Sequence, residues 1–315
     1  MSKIEKAILK TLAFFEIFSR PLTLEELWHF LSKTRASKLQ VLIGLRKLAK
    51  KRLILQKNLP AGKAGNYFSL SQSPKIFKDF ESCQKVCQKN WQKVALVIKI
   101  LKFAPFVKNI SVINSLSFGT SSEKSDIDIL LITKKNRLWT ARAFVVGLLE
   151  LIGQNKNQWY QAGKFCLGFA FDETRLDLKN ILGAKKYVWA PYWLANLTPV
   201  FDDKIYFQFI KENSWLNINL PNWTAQEVKK IKLKNSWLEK ILKGRLGNLL
   251  EEWLAKIQIR RVYKDPQNLL ASGEAVICHN QMLKMHPDER RPEYQRKWQE
   301  KLRQLENLTK KRLLR

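Results

Sequence analysis

Two aspartates one residue apart, Asp126 and Asp128, are the residues of this sequence whose type and spacing best suit chemistry. They open an aliphatic run, Ile127 to Ile132, that predicts a buried strand. Residues two apart on a strand point to the same side, so both carboxylates should emerge together where the strand begins. Adjacent carboxylate oxygens suit Mg²⁺, which binds one or two carboxylates together with phosphate oxygens. The pair therefore predicts a metal and phosphate site.

A polar turn precedes this strand. It begins with Asn114 and Ser115 and continues through Gly119, and Ser125 stands directly before the first aspartate. Hydroxyl groups and free backbone N–H groups in such a turn can hold phosphate oxygens. The alternative is a pair of solvated acids at a strand edge. Because the turn, the serine and the apolar strand occur together, a phosphate site is favoured.

These residues resemble the signature of the DNA polymerase beta-like nucleotidyltransferase superfamily, over the region from about Phe106 to Asn219. In that superfamily a Gly-Ser pair holds the phosphates of the incoming nucleotide. The two aspartates, with a third carboxylate on a later strand, hold two Mg²⁺ ions. The resemblance implies that Asp126 and Asp128 are catalytic metal ligands. It implies nucleotide contacts at four positions, Asn114, Ser115, Gly119 and Ser125.

Two features of the sequence depart from that pattern. Asn114 replaces the glycine of the turn, although asparagine tolerates left-handed backbone conformations better than most residues. The later strand, Phe165 to Phe171, contains no carboxylate. Asp172 at its end and Asp177 beyond a turn are the remaining candidates for the third ligand. Since two-metal phosphoryl transfer needs both ions, the sequence supports nucleotide or metal binding better than active catalysis.

The charge balance predicts a polyanionic partner. Lys and Arg number 57 against 27 Asp and Glu, a formal net charge of +30 over 315 residues. Such an excess attracts nucleic acid, with an anionic membrane surface as the rival partner. No apolar run approaches the roughly 18 residues that span a bilayer, so a membrane protein is not expected. Four cysteines without metal-type spacing favour a reduced, cytoplasmic protein.

Residues 1–75 are predicted to form a separate module of three helices and a β-hairpin. Thr23 and Glu26 form a capping box at the start of the second helix, and Ser37 can cap the third. The hairpin follows, with a basic tip at Lys63. The order resembles a winged helix-turn-helix domain, in which the third helix enters a DNA groove and the hairpin touches the backbone. The resemblance implies nucleic-acid contacts from Lys38, Arg46, Lys47, Lys50, Lys51 and Lys63; the alternative is a purely structural module with a solvated lysine face.

The rest of the chain divides by composition into three regions. Residues 76–105 predict a basic amphipathic connector helix, residues 106–223 the nucleotidyltransferase-like domain with a small mixed sheet, and residues 224–315 a basic helical region. The aromatic residues between 184 and 223 could stack bases, but core packing against the sheet is the favoured interpretation. The predicted fold class is therefore α+β, with a winged helix at the N-terminus.

Two functions remain open at this point. The leading hypothesis is a nucleotidyltransferase-like protein that binds a nucleoside triphosphate and Mg²⁺ and transfers a nucleotidyl group to an unknown acceptor. The alternative is a non-catalytic nucleic-acid-binding protein or regulator with a degenerate nucleotidyltransferase domain. The missing third carboxylate and the missing glycine favour the alternative. A peripheral membrane protein is the least favoured class.

Overall fold

The computed structural model describes residues 1–59, 65–70, 75–156, 160–226, 228, 237–269, 275–285 and 289–313. In these ranges the chain is an α+β protein with one three-stranded sheet and one six-stranded mixed sheet. The α+β class is therefore confirmed. No helix within these ranges is both long enough and apolar enough to cross a membrane.

The N-terminal unit consists of three helices and the small sheet. Thr23 and Glu26 form the expected capping box, with hydrogen bonds in both directions, and Ser37 and Gln40 form a second one. The strands of the sheet are antiparallel and lie in the order β1-β3-β2. The elements are α1 (Lys3–Glu16), β1 (Leu22–Thr23), α2 (Leu24–His29), α3 (Lys38–Lys50), β2 (Ile54–Leu59) and β3 (Gly65–Leu70).

A single long helix, α4 (Lys75–Leu101), connects this unit to the large sheet. Its buried side includes Phe77, Phe80, Val94 and Leu101, as the helical spacing predicts. The helix ends four residues before Pro105, which cannot continue it.

The large sheet has the strand order β7-β4-β5-β6-β9-β8. Only β5 and β6 run parallel among the strand pairs described; they are joined by α6, whereas the other neighbours are antiparallel. The remaining elements, in chain order, are β4 (Val107–Val112), α5 (Asn114–Ser117), β5 (Ile127–Thr133), α6 (Leu138–Leu151), β6 (Phe165–Asp172), α7 (Trp189–Asn196), β7 (Thr198–Asp202), α8 (Tyr206–Glu212), α9 (Trp215–Asn219), α10 (Trp237–Ile241), α11 (Arg245–Lys264), α12 (Pro266–Leu269), β8 (Val276–His279), β9 (Met282–Met285) and α13 (Arg291–Leu313).

The C-terminal region differs from the expectation of a basic helical region. Its hairpin β8–β9 joins the large sheet, because β9 pairs antiparallel with β6. Helix α11 also packs on α6: the Glu251 carboxylate accepts hydrogen bonds at 2.8 Å from the backbone N–H groups of Trp139 and Thr140. These donors lack partners inside their own helix, so a distant glutamate caps α6. Residues 224–315 therefore complete the central domain, and the boundary expected at 223 is not a boundary of the sheet.

The N-terminal unit shares one hydrophobic core with the central domain. Phe14 of α1 stacks on Tyr192 of α7, with ring centroids 4.1 Å apart. The Arg20 guanidinium donates to Asn196 Oδ1 at 3.0 Å, and Trp298 of α13 donates to the Lys10 carbonyl. Most of the aromatic residues between 184 and 223 are buried in these contacts, which confirms core packing for them; Phe207 is exposed.

Candidate functional site

Asp126 and Asp128 lie together at the start of β5, as their spacing predicts. A third residue joins them, because Asp128 pairs across the parallel ladder with Cys166 of β6. One carboxylate oxygen from each aspartate and the Cys166 Sγ lie within 4.8 Å of one another. This cluster could hold a metal ion.

The two aspartates have different surroundings. Burial, and next the charge of Asp126, raise the pKa of Asp128 to about 7. Hydrogen bonds from Asn114 and Cys166 and the charge of Lys156 act in the opposite direction but do not cancel these effects. Without a cation, Asp128 therefore exchanges its proton near neutral pH.

Lys156 is the site residue that the sequence reasoning missed. Its ammonium donates to Asp126 Oδ2 at 2.6 Å. The residue lies thirty positions away in the sequence, and it reaches the site because its backbone N–H donates to the Phe165 carbonyl at 2.9 Å. Burial alone would lower the pKa of Lys156, but the hydrogen bond to Asp126 and the charges of both aspartates raise it above its usual value. The lysine is therefore charged at neutral pH.

The polar turn approaches the carboxylates through its first two residues. Asn114 has a φ of 56°, the left-handed conformation that a glycine would adopt, and its Oδ1 accepts a hydrogen bond from Trp193 Nε1 at 2.8 Å. The Ser115 hydroxyl lies 3.2 Å from that of Ser121. Gly119 also has a positive φ, of 68°, but its carbonyl accepts from Gln84, away from the aspartates. Ser125 bonds with Ser122 in an exposed turn.

The remaining carboxylates considered as third ligands lie elsewhere. Asp172 is at the opposite end of β6, beside Thr133, where it accepts hydrogen bonds from the Asn136 backbone and from Thr174. Asp177 is exposed, and its carboxylate accepts from the Lys179 backbone. The residue that faces the aspartate pair from β6 is therefore Cys166 and not a carboxylate.

The donor set fits one Mg²⁺ ion but not two. Asp126 and Asp128 supply the hard oxygen ligands that Mg²⁺ prefers. Burial raises the pKa of the Cys166 thiol to about 12, so this group stays protonated at neutral pH, and sulfur is a poor ligand for Mg²⁺. The third anionic ligand that would bridge a second ion is thus replaced by a neutral group.

A cavity of about 410 Å³ opens at these residues. Its size falls in the range of small-molecule sites, roughly 300 to 1,000 Å³. Asp128, Lys156 and the Asn114–Ser115 turn line one part of it. The other part is formed by aromatic and basic side chains from β9, α7 and the start of α13, namely Trp189, Trp193, Tyr294, Lys284, Arg290 and Arg291. Such a lining could take an anionic ligand that has an aromatic ring.

The residues predicted to contact nucleic acid divide into two groups. Lys38 pairs with Glu25 at 2.7 Å and lies over the Trp28 ring, and Lys51 pairs with Glu5 at 2.9 Å. Arg46, Lys47 and Lys50 are exposed on α3. Lys63 lies outside the described residues.

The exposed face of α3 also carries two apolar residues. Leu39 and Ile43 were expected in the apolar stripe of this helix, but they are 64% and 43% exposed. The stripe that packs against the core is narrower and consists of Val41, Leu45 and Leu48. The remainder of the helix is therefore open to solvent on its basic side.

Comparisons of this chain with protein-family models, with curated proteins and with solved structures find no match.

Proposed function

We propose that this chain is a nucleotidyltransferase-like protein that binds a nucleoside triphosphate with Mg²⁺ in the cavity and transfers its nucleotidyl group to an acceptor. One observation carries the proposal: Asp126, Asp128 and the Asn114–Ser115 turn converge at one end of a cavity of nucleotide size. Two aligned carboxylates beside a polar turn are the arrangement that the resembled superfamily uses.

The order of the elements supports the same class. A strand (β4), a short helical turn (α5) and an antiparallel strand with the aspartates (β5) are followed by a helix (α6) and a parallel strand (β6). The resemblance implies a third ligand on a later strand next to the aspartates. Cys166 of β6 occupies that place, which points to a nucleotidyltransferase-like sheet with an altered ligand.

The residues would divide the work by their chemistry. Asp126 and Asp128 would hold the cation, and the Ser115 hydroxyl and nearby backbone would bind phosphate oxygens. Trp189 and Tyr294 offer ring faces on which a base could stack. When bound, Mg²⁺ would neutralise charge on the phosphates during the attack of the acceptor hydroxyl. The acceptor is proposed to be held by the basic surface of the protein.

Calorimetry with each of the four nucleoside triphosphates, with and without Mg²⁺, tests the proposal. The wild-type chain should bind at least one of them in a Mg²⁺-dependent manner, and the double variant Asp126→Asn, Asp128→Asn should lose both binding and turnover. The control is Asp177→Asn with Asp203→Asn, which changes the net charge equally but lies outside the cavity lining. Mg²⁺-dependent turnover that survives in the double site variant would show that the assignment is wrong.

A second candidate is a non-catalytic nucleic-acid-binding protein with a degenerate nucleotidyltransferase domain. Cys166 favours it, since a protonated thiol cannot replace a bridging carboxylate. The N-terminal unit favours it too, because its order of helices and strands and its β1-β3-β2 sheet are those of a winged helix, with Arg46, Lys47 and Lys50 exposed on α3. This candidate expects bound nucleotide without turnover.

Charge variants of α3 test the nucleic-acid contact. Replacing Arg46, Lys47 and Lys50 by Gln should weaken duplex DNA binding and reduce the slope of log K against log salt by about 2 to 3, close to one per lost phosphate contact. The control is Lys85, Lys89 and Lys99 on α4, which are also exposed, each replaced by Gln. Equal losses in the two triple variants would mean that the basic charge acts generally and that α3 has no special role. Deleting residues 1–75 is unsuitable, because it would expose the shared core.

A further inference from the structure

The aspartate pair already has a cation of the protein beside it. The Lys156 ammonium lies 2.6 Å from Asp126 Oδ2, and Lys156, Asp128 and Cys166 all line the cavity. The backbone fixes this position, because Asn155 forms a parallel bridge with Phe165. The start of β6 therefore holds both the lysine and the cysteine at the carboxylates.

The charges of these groups form a consistent set. Asp126 and Asp128 bring two negative charges, Lys156 brings one positive charge, and the protonated thiol of Cys166 brings none. With one divalent ion added, the site would carry a single net positive charge. A site of three carboxylates with two divalent ions, as the resembled superfamily has, carries the same net charge. A thiol in place of a carboxylate, together with a lysine, thus matches the loss of one ion.

We propose that the Lys156 ammonium takes the place of a second metal ion at this site and binds nucleotide phosphates directly. Because the phosphates must bind in this cavity, Lys156 has this role only where the proposed function holds. An ammonium has three N–H donors, so Lys156 can keep its hydrogen bond to Asp126 and give another to a phosphate oxygen. It also needs no third anionic ligand, which agrees with the neutral Cys166. The site then takes one divalent ion per chain.

A purely structural ion pair is the competing explanation of the same contact. In that case Lys156 only neutralises Asp126, and its removal would change the stability of the fold without changing phosphate affinity. Lys156 is 31% exposed and lies on the cavity surface, where a ligand can reach it. The two explanations therefore differ in the affinity for phosphate when no metal is present.

Inorganic tripolyphosphate in EDTA is the probe, since it carries the phosphate chain of every nucleoside triphosphate. Wild-type protein should bind it measurably by calorimetry. Lys156→Gln should bind it roughly tenfold or more weakly, as expected for the loss of one charge-assisted hydrogen bond, whereas Lys156→Arg should bind within about threefold of wild type. Lys164→Gln is the matched control, because Lys164 lies in the same loop but donates to the Gly153 carbonyl.

Counting bound Mn²⁺ by electron paramagnetic resonance gives an independent readout. The wild-type chain with nucleotide should bind one Mn²⁺, and Lys156→Gln should bind Mn²⁺ more tightly in the absence of nucleotide, because the competing ammonium is gone. Two Mn²⁺ per wild-type chain, or unchanged tripolyphosphate affinity in Lys156→Gln, would overturn the role of Lys156 and leave the proposed function intact. If the wild-type chain binds neither tripolyphosphate nor any nucleoside triphosphate with Mg²⁺, the proposed function fails, and the role of Lys156 fails with it.

Discussion

Replacing Asp128 with asparagine is expected to stabilise the metal-free protein at pH 8 and to abolish its Mg²⁺-dependent nucleotide binding. The stabilisation has a single physical cause. Burial and the neighbouring Asp126 raise the pKa of Asp128 from 3.8 to about 7. The folded protein thus holds a proton that the unfolded chain has already lost, and ionising this carboxyl in the fold costs free energy. Asparagine has a similar shape and no charge, so it avoids this cost.

The pH range of the effect follows from the two pKa values. Below about pH 4 the carboxyl is protonated in both states, and the stabilities of the variant and the wild type should be similar. Between about pH 4 and pH 7 the unfolded chain ionises while the fold keeps its proton, so wild-type stability falls as the pH rises. Above about pH 7 the full difference is present, up to about 4 kcal/mol for a shift of this size.

Urea unfolding at pH 4 and pH 8, in EDTA and in Mg²⁺, measures both consequences. In EDTA at pH 8 the variant should have the higher free energy of unfolding, and at pH 4 the difference should vanish. Saturating Mg²⁺ with nucleotide should stabilise only the wild type, by about 2.7 kcal/mol at a hundred times the dissociation constant. A variant that is less stable than the wild type at pH 8 in EDTA would contradict the buried, strained carboxyl at Asp128.

The second large effect is expected for Phe14→Ala. Phe14 is fully buried and stacks on Tyr192, so the ring joins the N-terminal unit to the central domain. Truncating a buried phenylalanine costs about 3 to 5 kcal/mol through lost burial and the cavity left behind. Urea unfolding should show this loss in one transition that both tyrosine fluorescence and far-UV circular dichroism follow, since the two units share a core.

Phe207→Ala is the matched control for this ring. Phe207 is 62% exposed, and its truncation should change the free energy of unfolding by less than about 0.5 kcal/mol. Two separate transitions in the wild type, or a Phe14→Ala loss no larger than that of Phe207→Ala, would mean that the N-terminal unit is an independent module. The DNA-binding candidate would then allow a freely moving N-terminal domain.

Local signals in the sequence predicted much of the site and of the helices. The spacing of Asp126 and Asp128 placed both carboxylates together, and the capping boxes at Thr23 and Ser37 set the starts of two helices. Asn114 adopts the left-handed conformation that its side chain tolerates. Each of these features depends on residues within a few positions of one another, so a single stretch of sequence contains the necessary information.

The tertiary structure alone decided which residues face the aspartates. Cys166 and Lys156 reach the site through the parallel pairing of β5 with β6, and Glu251 caps α6 from more than a hundred positions away. The hairpin β8–β9 joins the sheet for the same kind of reason, since strand pairing depends on long-range contacts that local periodicity does not encode. By itself the sequence determined a carboxylate pair on a strand and a strongly basic chain. Only the fold decided that a thiol and an ammonium complete the cluster, because both arrive there through pairing between distant segments.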